Sequence, residues 1–109
     1  MNAPVDLTTL RRITEGDTAL ETELFKVFLR SARECIAALH FHCQSGDDEG
    51  WRRHAHAFKG ISYGIGALKL GDLCLQAQEG FQDLHLKKYQ YLSAIEAEYS
   101  EVEQQLRNL

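Results

Sequence analysis

Proline is almost absent from the sequence, and the only one, Pro4, lies close to the N-terminus. Because proline removes a backbone donor and clashes inside a helix, a chain with almost no proline can form long uninterrupted helices. No segment shows the alternation of apolar and polar residues that is typical of a half-buried strand. The sequence therefore predicts an all-α chain.

Cysteine and long apolar runs are also scarce. The three cysteines, Cys35, Cys43 and Cys74, are odd in number and form no CxxC pair. Since no signal peptide precedes them either, we expect a reduced, cytoplasmic protein. No apolar run approaches the ~20 residues that a membrane span needs, so no membrane association is predicted.

The chain lacks a broad excess of basic charge and any recognisable nucleotide or metal motif. Its net charge of −4 argues against nucleic acid as a partner. It has no G-x-x-x-x-G-K-[ST] loop, so we expect no ATP site of its own. The histidine pairs in "HFHC" and "HAH" are two residues apart. On a helix such pairs diverge, and we predict no metal site and no bound cofactor.

What the sequence does contain is helical periodicity over most of its 109 residues. Apolar residues recur at spacings of three and four in segments at about 7–13, 17–43, 50–66, 67–80 and 84–109. Four long amphipathic helices with short connections predict an antiparallel four-helix bundle, with a short additional N-terminal helix across one end. Residues 1–109 are expected to form one domain. The glutamates of the last helix, Glu96, Glu98, Glu101 and Glu103, are interpreted as a solvated face.

His56 lies at the edge of the apolar stripe that the third helix is expected to bury. It follows Ala55, a residue of the apolar stripe, and successive helical residues are about 100° apart, so we expect its imidazole to be partly exposed. The residues three, four and seven positions away share its face, and they are Arg52, Arg53, Lys59, Gly60 and Tyr63. The ammonium of Lys59 near the imidazole predicts an anion at this face, with phosphate favoured.

Two glycines follow the histidine inside the same helix. Each costs roughly 0.5–1 kcal/mol of helix stability relative to alanine. Without a Cβ at Gly60 the space beside the imidazole is open, and Gly64 extends the bare strip by one turn. We interpret this strip as access for a group larger than the ring. The alternatives are that the glycines serve close helix packing and that His56 is a structural residue at the edge of the core.

The stretch "AHAFKGISYGIGALKLGDLC" resembles the signature of histidine-containing phosphotransfer (HPt) domains. The shared pattern is H-x-x-K-G-x-S, followed by Gly-Ala and then by Leu and Leu-Cys. The matching residues are His56, Lys59, Gly60, Ser62, Gly66, Ala67, Leu70, Leu73 and Cys74. "ELFKVFL" is similar to the second helix of the family. One departure is Ile61, where the family often has a small residue, and we interpret it as a packing difference.

The resemblance implies roles for individual residues. The phosphorylated histidine corresponds to His56, the conserved lysine to Lys59 and the space-making glycine to Gly60. Many members have a glutamine or glutamate near the phosphohistidine, and Gln78 occupies that position. His54 has no lysine three residues later and points about 200° away from His56, so no role is assigned to it.

The implied function is a phosphoryl carrier in a multistep phosphorelay, not an enzyme that turns over a small substrate. The partners would be receiver domains of a hybrid sensor histidine kinase and of a response regulator, and Mg²⁺ would be held by the receiver domain. A monomer is expected. We expect an exposed apolar patch for docking, formed by Leu10, Leu20 and Leu24. The alternative is that all three residues belong to the core, and for Leu24 this alternative is favoured. The partner is also expected to contact the face around His56, at Arg52, Arg53, Tyr63 and Gly64.

Two other functions stay open at this level. The chain could accept phosphate directly from a histidine kinase of the chemotaxis type, although a free-standing chain without kinase regions argues against that. It could also be a non-catalytic helical adaptor in which His56 is inert.

Overall fold

Five helices make up the part of the chain that the structure describes, residues 3–109. In the computed structural model they are α1 (Leu7–Thr14), α2 (Thr18–Ser45), α3 (Asp48–Gly64), α4 (Leu68–Glu79) and α5 (His85–Arg107). There is no β-strand in this range. The all-α prediction is confirmed, and each helix lies within a few residues of the segment that the periodicity indicated.

Aspartates begin the first three helices. The side chain of Asp6 accepts a hydrogen bond from the backbone N–H of Thr8, and Asp17 accepts one from Leu20. Asp47 accepts from the backbone N–H of Gly50, at 2.9 Å. A side-chain oxygen at this position satisfies a donor that the first helical turn leaves unpaired, and it stabilises the helix by about 1 kcal/mol.

Helices α2 to α5 form the bundle, and consecutive helices run antiparallel. Helix α5 returns along α2, so that Arg33 pairs with Glu103 and His40 with Glu96. Helix α1 packs against α2. The core comes from all five helices and the short segments beside them: Val5, Leu10, Phe25, Phe28, Leu29, Ala32, Cys35, Leu39, Cys43, Trp51, Ala55, Phe58, Ile65, Ala67, Leu70, Cys74, Ala77, Leu92, Ile95, Tyr99, Val102 and Leu106.

The pair of α3 and α4 positions the functional face. Trp51 is fully buried, and its indole N–H donates to the backbone oxygen of Ala77 at 2.8 Å. A buried indole supplies a large apolar area together with a donor that needs a partner, so it fixes how the two helices sit against each other. Because they run antiparallel, the middle of α3 faces the C-terminal half of α4.

The N-terminal segment is tied to the bundle by its backbone. Val5 exchanges two hydrogen bonds with the side chain of Gln105, and the N–H of Asp6 donates to the oxygen of Gly66 at 2.8 Å. Gly66 has a φ of 88°, and a Cβ there would come within 2.6 Å of the Asp6 oxygen. Glycine is therefore required at the turn between α3 and α4, and this turn holds α1 against the bundle.

The prediction of a fully solvated glutamate face on the last helix is wrong for Glu98. Its residue is only 8% exposed, and its carboxylate lies 3.7 Å from the ammonium of Lys69. Glu103 bonds the guanidinium groups of Arg33 and Arg107, which lowers the pKa of its carboxyl. The acidic residues of α5 thus fasten it to α2 and α4 as well as facing water.

The cysteines are buried, as expected for Cys35 and Cys74. Burial raises the pKa of the Cys74 thiol to about 12, so it behaves as a small apolar side chain. None of the helices between residues 3 and 109 is long and apolar enough to cross a membrane.

Candidate functional site

His56 lies exposed on α3, on the side that faces α4. Its Nδ1 is 3.3 Å from Oε1 of Gln78, one residue past the buried Ala77 of α4. An amide oxygen only accepts hydrogen bonds, so this contact selects the tautomer with the proton on Nδ1. The other ring nitrogen, Nε2, then carries the lone pair that can act as a nucleophile.

The two glycines after His56 open onto free space. Gly60 and Gly64 are both exposed, and a Cβ built at either position meets nothing within 4 Å. Close helix packing would place atoms of a neighbouring helix at that distance, so it does not account for these glycines within the described residues. The bare strip is left for a group that comes from outside the chain.

Three cations lie near the imidazole, and their surroundings differ. Arg52 bonds Glu49 at 2.9 Å, and its guanidinium lies 5.7 Å from the centre of the Phe81 ring. Arg53 is exposed, and Lys59 is half-buried. For neither Arg53 nor Lys59 does the structure of residues 3–109 give an ion pair. Lys59, one turn after the imidazole, is therefore a cation without a carboxylate partner.

Tyr63 is directed across to α4. Its hydroxyl donates to Oδ1 of Asp72 at 2.6 Å. This hydrogen bond raises the pKa of Tyr63 to about 12, so the phenol remains a donor at neutral pH. The ring covers Gly71, where an added Cβ would come within 2.3 Å of it. Tyr63 is thus engaged with α4 while it stays partly exposed, and its contact with a partner remains a prediction.

His54 is held away from the site. Its Nδ1 lies 2.9 Å from the backbone oxygen of Gly50, to which it donates, and its ring stacks on His42 with centroids 4.9 Å apart. It therefore belongs to the packing of α2 against α3. Across the described chain, no group of three or more histidine, cysteine, aspartate or glutamate side chains could hold a metal ion.

An apolar groove lies beside the bare strip, between α1, α2 and the end of α3. Its lining residues are Leu10, Ile13, Leu24, Val27, Phe28, Ser31, Ile61, Gly64 and Ile65. Ile13 and Val27 are about half exposed, at 53% and 47%. Gly64 belongs to both features, so the groove and the strip beside His56 form one continuous surface.

The sequence placed Leu10 on an exposed patch, and this is wrong. Leu10 is completely buried, because the backbone bonds of Asp6 and Val5 turn this face of α1 inward against α2. It forms the floor of the groove. Leu24 is half-buried in the groove wall, and Leu20 is 43% exposed at the start of α2.

Comparison with known proteins identifies the family. The Hpt domain family matches residues 23–108, which is most of the chain. The chain belongs to the Hpt family. The structure is also similar to the crystal structure of histidine-containing phosphotransfer protein B (HptB) from Pseudomonas aeruginosa PAO1. The TM-score is 0.90 at 25% identity, and the match covers 99% of this chain and 95% of that one. No curated protein sequence matches the chain.

Histidine phosphotransfer in phosphorelay signalling is therefore the function of this Hpt protein. Proteins of this kind carry a phosphoryl group and do not turn over a substrate of their own. The fold expected from the sequence agrees with this structural match.

Sequence reasoning missed several residues of this Hpt surface. Ile13 and Val27 were not assigned to the docking patch, and Gly71 and Asp72 were not linked to Tyr63. A signal for Val27 was present, because Leu20, Leu24 and Val27 recur at spacings of four and three beside the core stripe of α2. No pattern within one helix indicated the pairing of Tyr63 with Asp72.

Proposed function

We propose that His56 is the residue that carries the phosphoryl group, which it receives from the phosphorylated aspartate of a receiver domain. One observation supports this above the others: an exposed imidazole has its Nδ1 directed at an amide oxygen of Gln78 and stands beside the bare position Gly60. Nε2 is then free to attack phosphorus from the side where the helix has no side chain.

The transfer exchanges one bond for another. The lone pair of His56 Nε2 forms a P–N bond while the P–O bond to the aspartyl carboxylate breaks, and that oxygen leaves with the electron pair. The phosphorylated ring keeps its proton on Nδ1 and becomes cationic, and Gln78 accepts that proton in a hydrogen bond. In-line positioning and neutralisation of charge supply most of the catalysis of such a step. The reverse reaction returns the group to a second receiver.

Lys59 is the cation that stabilises the phosphoryl oxygens. It lies one helical turn from His56 and has no ion pair within residues 3–109. An ammonium that is not already engaged can follow the negative charge as the group arrives. Gln78 orients the ring and Gly60 gives access to it.

Replacing Lys59 with alanine should slow phosphotransfer and leave the fold intact. A half-exposed lysine without an ion pair contributes little to stability, within about 0.5 kcal/mol. Stopped-flow transfer from a phosphorylated receiver, with circular dichroism as the control for folding, measures both quantities. A wild-type rate would remove Lys59 from the mechanism.

Docking uses the apolar groove together with the face around His56. The groove ends at Gly64, so an apolar helix face of a receiver seated in it lies next to the phosphorylation site. Arg52 and Arg53 at the exposed start of α3 are placed to meet acidic groups around a receiver's aspartate. A small, partly exposed contact of this kind suits a partner that must leave again.

Replacing Val27 with aspartate should weaken receiver binding roughly ten-fold or more, because it puts a charge into the apolar groove. Val27 is 47% exposed, so the variant is expected to fold. Titration calorimetry gives the binding constant. Ala37→Asp, which adds the same charge at an exposed position of α2 outside the groove lining, is a matched control. Equal affinity of Val27→Asp and wild type would mean that receivers dock elsewhere.

The decisive experiment for the proposed function is transfer of labelled phosphate. Incubation with a phosphorylated receiver should label the chain with phosphate that is labile in acid and stable in alkali, and mass spectrometry should locate it on His56. Label from an isolated histidine kinase with ATP, but from no receiver, would favour direct phosphorylation instead. Label on any other residue would contradict the assignment.

We also propose the partners, the cofactor requirement, the oligomeric state and the cellular location of this transfer. The receivers belong to a hybrid sensor histidine kinase and to a response regulator, and they hold the Mg²⁺ that assists the reaction. The chain takes no cofactor and has no ATP site, acts as a monomer and works in the cytoplasm. Residues 1–109 form one domain.

A further inference from the structure

The C-terminal end of α4 has a buried backbone carbonyl that the helix itself does not pair. In the part of the chain that the structure describes, the last backbone hydrogen bond of α4 runs from the N–H of Gly80 to the oxygen of Gln76, at 3.0 Å. The next carbonyl is that of Ala77, one of the last four of the helix, for which no helical N–H follows. Because Ala77 is fully buried, water does not reach this oxygen either.

Trp51 on α3 supplies the missing donor. Its indole N–H donates to the Ala77 oxygen at 2.8 Å. Trp51 is also fully buried, and the ammonium of Lys88 on α5 lies 5.4 Å from the centre of its ring. Lys88 is itself buried and pairs with Asp48. Packing and this cation hold the indole in place, so its N–H fixes the position of the Ala77 carbonyl relative to α3.

Gln78 follows this carbonyl directly in the chain. The carbonyl carbon of Ala77 is bonded to the backbone nitrogen of Gln78, so a shift of the carbonyl also moves the base of the glutamine side chain. Oε1 of Gln78 lies 3.3 Å from Nδ1 of His56, which is long for a hydrogen bond. A further displacement of about 0.5 Å would break this contact.

We propose that Trp51 is a positioning residue for phosphotransfer: its indole N–H holds the Ala77 carbonyl so that Gln78 stays against Nδ1 of His56. The glutamine then keeps the ring proton on Nδ1 and leaves the lone pair on Nε2. Without the indole donor the buried carbonyl is unpaired, and the last turn of α4 moves toward another donor. The imidazole loses the glutamine, and its proton can occupy Nε2, the nucleophilic atom. This inference rests on the proposed roles of His56 and Gln78.

The test removes the indole N–H and keeps the shape of the ring. Trp51 is the only tryptophan in the sequence, so its benzothiophene analogue, in which sulfur replaces the N–H, can be introduced at this position alone. We expect transfer from a phosphorylated receiver to be about two- to ten-fold slower, the range that corresponds to one hydrogen bond. Long-range ¹H–¹⁵N NMR spectra of the unphosphorylated protein should show the ring proton of His56 shifting from Nδ1 to Nε2.

A double-mutant cycle with Gln78→Ala separates positioning from a general loss of structure. Gln78→Ala should slow transfer by itself, and in that background the analogue should cause no further loss, because both changes remove the same contact. Tyr99→Phe is the matched control, since it removes a hydrogen bond from another buried aromatic side chain to a backbone oxygen, that of Leu29. Its rate should equal that of wild type. A loss that is equally large in the Gln78→Ala background would overturn the proposal, because it indicates a structural role alone.

Trp51→Phe is a second variant without the donor, and circular dichroism at the temperature of the assay checks that both variants are folded. It should show the same shift of the ring proton and the same dependence on Gln78. A wild-type rate in both variants, or an unchanged tautomer of His56, refutes the role of Trp51. The tautomer is measured without phosphate, so this result holds even if His56 is the phosphorylated residue. If label does not depend on His56, the proposed function fails whatever the tautomer shows.

Discussion

Replacing His56 with glutamine abolishes transfer of labelled phosphate to the chain. Glutamine can still reach the amide of Gln78, but an amide nitrogen has no available lone pair to form a P–N bond. The side chain is exposed, so the free energy of unfolding should change by no more than about 0.5 kcal/mol. The loss is therefore chemical, and electrophoresis of the labelled protein in alkali measures it directly.

The matched control is the same replacement two residues earlier. His54→Gln alters a ring that bonds the backbone of Gly50 and stacks on His42, at some distance from the bare strip. We expect this variant to accept label at close to the wild-type rate. If label survives in His56→Gln but disappears in His54→Gln, then His54 and not His56 is the phosphorylated residue, and the proposal is wrong.

A leucine at Gly60 should slow transfer roughly 100-fold while the protein becomes slightly more stable. A displacement of about 1 Å in a reacting pair can cost this much in rate. Four additional carbon atoms one turn from His56 fill the space through which the phosphoryl group arrives. Leucine favours the helix over glycine by about 0.5–1 kcal/mol, and a Cβ at residue 60 meets no neighbour within 4 Å.

A variant that is more stable but transfers more slowly has lost access to His56, whereas a variant with a damaged fold would lose both stability and rate. Thermal unfolding and stopped-flow transfer are measured on the same samples of Gly60→Leu and Gly60→Ala, and the alanine variant should lose less of the rate. Ala97→Leu adds the same side chain to an exposed position on α5 and should transfer normally. If Gly60→Leu accepts phosphate as fast as wild type, the glycine is not there for access.

The helices and most of the core residues could be predicted because the pattern that determines them lies within each segment of the sequence. A spacing of three and four gives the stripe of each helix, and Trp51, Ala55 and Phe58 on one such stripe are all fully buried. The exposure of His56 follows from the same geometry, since the residue after a buried one on a helix lies on its shoulder. The aspartates that cap three helices are recognisable without any tertiary contact.

The burial of Leu10 could not be predicted from spacing. The short helix α1 has apolar residues at 7, 10 and 13, and spacing does not determine which of them faces inward. The hydrogen bond from Asp6 to Gly66 decides the orientation, and it joins residues sixty positions apart. The result is a buried Leu10 and an exposed Ile13, with the groove between them and α2.

By itself the sequence determined the all-helical bundle and the face of α3 that brings a histidine, a lysine and two glycines together, because periodicity along a helix fixes what shares one side. Gln78 beside the imidazole was implied by the family resemblance and not by spacing, and the structure has this contact. Only the tertiary structure decided what else meets that face from other helices: Asp72 at Tyr63 and the groove that ends at Gly64. The physical reason is that the rotation of each helix about its own axis, and its offset along a neighbour, come from packing across the bundle. Spacing within a single segment does not contain either quantity.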